Sequence, residues 1–102
     1  MREEIEFVCN KLNLSDNVIT KSMEILNKIG IKNLFEKNEL GFTPKVIVCS
    51  TVYIASMLCK ESRTQQDIFF ATGIRSGSIS RCYKIIRENY MNADFKMNKL
   101  VI

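Results

Sequence analysis

The chain has 102 residues, a formal charge of +4, four cysteines and no histidine. That length suits one domain, 1–102, with one core, and scattered cysteines with no C-x-x-C pair argue against structural zinc, disulfides or any cofactor. No signal-peptide-like apolar run follows Met1-Arg2-Glu3-Glu4 and no stretch is long enough to span a membrane, so a cytoplasmic protein is expected.

Residues 2–12 read as a first amphipathic helix, with Ile5, Val8, Cys9 and Leu12 on one face. Glu3, Glu4 and Glu6 sit in its opening turns, where carboxylates favour the positive end of the helix dipole. Asn13-Leu14-Ser15 breaks it, and Ser15 is a natural N-cap for a second helix with Asp16 in its first turn. Val18, Ser22, Ile25, Leu26 and Ile29 then recur at helical spacing until Gly30, a C′ residue, ends the pattern. Residues 31–42, IKNLFEKNELGF, are irregular but too apolar for a free linker, so a connection packed down on the core is expected.

The stretch from Thr43 to Cys59, TPKVIVCSTVYIASMLC, predicts the central rod. Thr43 suits the N-cap and Pro44 the first helical position. No charge occurs from Val46 to Cys59, and a helix apolar nearly all round must be enclosed by others. Its β-branched residues would also fit a buried strand, but strands rarely exceed about ten residues, and length favours a helix.

Residues 63–89, RTQQDIFFATGIRSGSISRCYKIIREN, carry the most specific pattern. Thr64 and Asp67 resemble a capping box with Asp in place of Glu, opening a short helix over 65–72 that Gly73 ends. Ser76 or Ser78 can cap the next helix, which turns Ile79, Cys82, Tyr83 and Ile86 inward. Gln65, Ile68, Gly73, Ile74, Ile79 and Cys82 fall where a helix-turn-helix wants a helix start, core residues and a turn glycine. One position departs. Phe69 stands where the motif usually has a small residue, so the two helices are splayed or Phe69 fills space under the turn.

Charge supports the same reading. Residues 1–42 hold six Lys/Arg against seven Asp/Glu, whereas 43–102 hold nine against four, and a basic half suits nucleic acid. In a major groove the outward positions of the second helix would be Arg75, Ser76, Gly77, Ser80, Arg81 and Lys84. Arg75 and Arg81 can bond guanine edges, and Lys84 and Arg87 suit phosphates. Gly77 and Ser80 carry little reading capacity. An enzyme is not expected, for there is no Gly-rich phosphate loop and no acid–base pair.

Several strings, in order, resemble one cyclin-type repeat of the transcription factor IIB family, including archaeal transcription factor B. They are Lys11-Leu12-Asn13-Leu14-Ser15, Glu24-Ile25-Leu26, Thr43-Pro44, Val52-Tyr53-Ile54-Ala55-Ser56, Arg63-Thr64-Gln65 and Arg81-Cys82-Tyr83-Lys84. The resemblance implies an all-α, cyclin-like five-helix bundle with a central buried third helix and a C-terminal helix-turn-helix, residues 91–102 forming a tail. It also implies a role in transcription initiation, with double-stranded promoter DNA, the TATA-binding protein and an RNA polymerase complex as partners. Tyr53-Ile54-Ala55-Ser56 and Arg63-Thr64-Gln65 look like the family's second repeat, and Ser80-Arg81-Cys82-Tyr83-Lys84 like its first. Gly77 and Ser80 replace residues that read bases in second repeats. The family's zinc ribbon has no counterpart here, which weakens the implied link to polymerase. A protein-interaction module of cyclin fold, without direct DNA reading, is the alternative.

Overall fold

A helical stretch without charge, here Val46 to Leu58, has to be enclosed, and the packing of this chain follows from that. The computed structural model describes residues 2–29 and 42–93, with side chains described for 2–28 and 42–88. Among these residues there are five helices and no strand: α1 (Arg2–Lys11), α2 (Asp16–Ile29), α3 (Pro44–Leu58), α4 (Gln65–Thr72) and α5 (Ser76–Ala93). The all-α bundle with a buried third helix is therefore as expected from the sequence. The expected connection over 31–42 lies outside the described residues except for Phe42, which packs half-buried against the core. α5 runs to Ala93, with no Gly or Pro to interrupt it, and the rest of the expected 91–102 tail lies outside the described residues.

Thr43 and Pro44 start α3 as their chemistry dictates. The Thr43 backbone is extended, its hydroxyl accepts the Val46 amide at 3.3 Å, and Pro44 sits where no amide is needed. Every residue from Val46 to Val52 is buried, as are Ile54, Ala55 and Ser56. α1, α2, α4 and α5 all pack on this helix. The first two present the single apolar faces that their periodicity requires, Ile5, Val8 and Cys9 from α1 and Val18, Ile25 and Leu26 from α2. α5 contributes Ile79, Cys82 and Ile86.

Two helix ends share one backbone solution. At the end of α1, Leu14 donates to the Cys9 carbonyl at 2.9 Å and Asn13 to the Asn10 carbonyl at 3.2 Å. At the end of α3, Glu61 donates to Ser56 at 2.8 Å and Lys60 to Met57 at 3.1 Å. Both are Schellman turns, and each needs a left-handed residue, Asn13 at φ 56° and Lys60 at φ 61°. Asn tolerates that region; Lys does so at a cost.

The four cysteines are free, and Cys9, Cys49 and Cys82 are buried. Burial raises all three thiols, Cys9 to about 12, so they remain protonated at neutral pH and pack as small apolar groups.

Two substitutions test this construction. Val52 is fully buried, so Val52→Asp sets an unpaired charge costing several kcal/mol against a typical total of about 5–15, and its cooperative thermal transition should vanish. A near-wild-type melt would overturn the burial of α3. Lys60→Gly relieves the left-handed backbone and should raise stability by about 1 kcal/mol, read as a higher urea midpoint with an unchanged slope.

Candidate nucleic-acid interface

The motif at residues 64–88 is held in place by a polar clamp that precedes it. The Arg63 guanidinium donates to four backbone carbonyls: Leu12 at 3.0 Å, Asn13 at 3.2 Å, Glu61 at 3.0 Å and Ser62 at 3.2 Å. Glu61 returns the link, accepting the Ser15 amide at 2.9 Å and the Ser15 hydroxyl. Ser15 thus stands before α2 as expected, but its hydroxyl is spent on a residue 46 positions away. The Ser15 hydroxyl, then its amide, hold the Glu61 carboxylate below the usual range. One arginine and one carboxylate thereby join the two Schellman turns and fix where α4 can begin.

α4 opens with a full capping box. The Thr64 hydroxyl accepts the Asp67 amide at 3.0 Å, and the Asp67 carboxylate accepts the Thr64 amide at 2.9 Å. The helix closes on Gly73, whose φ of 79° puts it in the left-handed region and whose amide reaches the Phe69 carbonyl at 2.7 Å. Thr72 tightens the turn, donating to Ile68 at 2.7 Å and accepting the Ile74 amide at 3.2 Å. Ile68, Ile74, Ile79 and Cys82 join the core beneath the motif, as the spacing predicts. Phe69 is 37% exposed, with its ring centroid 5.7 Å from that of Phe70.

α5 starts at Ser76, so neither serine is its cap: Ser76 is already in the first turn and Ser78 within the helix. The Arg75 carbonyl takes that place, receiving the Ser78 and Ile79 amides at 3.1 and 3.2 Å. Gly77, Arg81 and Lys84 follow at helical spacing as one exposed stripe, with exposed Arg75 at its entry and half-buried Ser76 and Ser80 beside it. Among the described residues no carboxylate pairs with Arg75, Arg81 or Lys84. Arg87 is different. It donates to the Tyr83 hydroxyl at 3.2 Å and lies 5.2 Å over that ring, which in turn meets Tyr53 edge-on at 5.1 Å. Arg87 is therefore engaged in packing α5 on α3. Sequence reasoning placed the stripe but missed the clamp, since nothing in local spacing links Arg63 to carbonyls about fifty residues earlier.

Comparison with known proteins fits this geometry. The family described as Transcription factor TFIIB repeat matches residues 1–89. The chain belongs to this family. It is 36% identical over 80 residues to transcription initiation factor IIB of Methanosarcina mazei, covering 78% of this chain and 23% of the relative. Against the factor of the same name from Methanothrix thermoacetophila the identity is 34% over the same shares, and against that of Methanopyrus kandleri 34% over 79 residues. The chain spans about a quarter of the length of the curated relatives it matches. As a TFIIB repeat it has the all-α, cyclin-like fold, and no described helix is long and apolar enough to cross a membrane.

The clamp yields a prediction for this TFIIB repeat. Hydrogen bonds from a charged donor contribute roughly 1.5–3 kcal/mol when well made, and Arg63 is only half-buried. Arg63→Met, which keeps the stem and loses the guanidinium, should cost about 2 kcal/mol in urea unfolding. A loss within error would mean that water replaces the clamp freely.

Proposed function

We propose that this TFIIB repeat is a DNA-binding module of transcription initiation, contacting double-stranded promoter DNA through α5 and the turn before it. The observation that carries the reading is the Arg75, Arg81 and Lys84 set, exposed and without carboxylate partners among the described residues, on the second helix of a helix-turn-helix. Arg81 faces base edges, and Arg75 and Lys84 meet the backbone on either side. Gly77 and Ser80 present little beyond backbone and one hydroxyl, so affinity comes mainly from phosphates and sequence preference is modest. The TATA-binding protein is the second partner, on the strength of the family resemblance and of relatives named transcription initiation factor IIB. An RNA polymerase complex stands behind both. The relatives' names are those of a transcription factor rather than of an enzyme.

Fluorescence anisotropy with promoter and scrambled duplexes, with and without the TATA-binding protein, tests this. Two phosphate contacts should make log affinity fall with log salt at a slope of about −2. Arg81→Ala should cost about 1–3 kcal/mol and flatten preference at one position, while Lys84→Ala should weaken all sequences alike and reduce the slope by about one. Arg87→Ala should reduce the slope less than Lys84→Ala does, because Arg87 lies over the Tyr83 ring and gives one N–H to its hydroxyl. No binding to either duplex at low salt, even with the TATA-binding protein present, would sink the reading in favour of a protein-docking module.

A further inference from the structure

Three phenylalanines lie at the surface of α1 and α4: Phe7 is 56% exposed, Phe69 37% and Phe70 74%. They form one face. Lys11 stands 5.4 Å over the Phe7 ring, and Lys11 and Phe70 line the same hollow between the two helices. Phe69 and Phe70 pack ring against ring. Contiguous exposed aromatics on a small domain mark a contact surface rather than an accident of composition.

The charges on α1 indicate the occupant. Glu3, Phe7 and Lys11 are four residues apart and form a single outward stripe, acidic at one end and basic at the other. Glu6, off that stripe, is already paired with Arg2 at 2.8 Å. With about 1.5 Å of rise per residue, Glu3 and Lys11 lie about 6 Å to either side of Phe7. Two copies of α1 crossed antiparallel at Phe7 would bring each Lys11 opposite the other copy's Glu3. The two-fold then makes every contact twice, and the pair of Phe70 rings closes over the crossing. We infer that the α1–α4 face pairs with a second copy of this chain, forming a two-fold dimer through Phe7, Phe70 and the Glu3–Lys11 charges. The surface shares no residue with the α5 stripe, so it stands independently of DNA binding.

Sedimentation equilibrium of the full chain without DNA, over a wide concentration series, reads the association directly. A monomer–dimer equilibrium is expected. Phe7→Ser with Phe70→Ser should weaken it about thirtyfold or more, as loss of a buried aromatic anchor does. Lys11→Glu should weaken it about tenfold by turning two symmetry-related attractions into repulsions, and Glu3→Lys likewise. Glu3→Lys combined with Lys11→Glu should restore it. These two positions are exposed, so the charge variants fold even if the serine variant does not, which thermal melts verify. A monomer at all concentrations, or a charge-swapped double variant no tighter than the single ones, overturns the inference.

Discussion

Enclosing a helix on every side requires that each polar group it carries find a partner, and α3 supplies most of these within itself. Ser50 and Thr51 donate back one turn to the carbonyls of Val46 and Ile47 at 2.8 and 2.7 Å, and Ser56 to that of Tyr53 at 2.8 Å. A hydroxyl bonded in this way needs no partner from a neighbour, which removes the desolvation cost of burying it. The surrounding helices therefore have only to supply apolar faces. One-sided helices of 10 and 14 residues suffice, and their outer faces are left free for other uses.

Apolar packing alone would not fix where the helix-turn-helix sits, because α4 is only 8 residues long and buries a single large side chain, Ile68. Its position comes from the polar clamp. Arg63 binds carbonyls at the end of α1 and Glu61 binds Ser15 at the start of α2. Thr64, next along the chain, is at once the cap of α4. Glu61 has its pKa lowered by the Ser15 hydrogen bonds. Its contribution is full above the unfolded carboxylate pKa and is lost as acid protonates it through the lower folded value.

What could be read from the sequence was what depends on near neighbours. The limits of α4, the capping box of Thr64 and Asp67, the left-handed Gly73 and the inward set of α5 all follow from spacings of a few residues, and all hold. So does the enclosure of α3, which needs only the absence of charge over one stretch. The places that escaped are governed by distant contacts. Ser15 has the chemistry of a helix cap, yet its hydroxyl is drawn to Glu61. Here a local propensity is overridden by a partner that only the tertiary fold brings near.

Phe69 marks where the two surfaces of the domain part. A small residue at that point of a helix-turn-helix lets the two helices approach closely; a bulky ring that faces outward does so too, provided that something else does not need the space. Here the side chain turns from the turn toward Phe70 and joins the aromatic face on α4. The core under the motif is left to Ile68, Ile74 and Ile79, which hold α5 against α3 without it. The first helix of the motif carries an apolar contact face while the second carries the cations. The two proposed surfaces, cationic on α5 and aromatic on α1 and α4, share no residue, so occupying one leaves the other free.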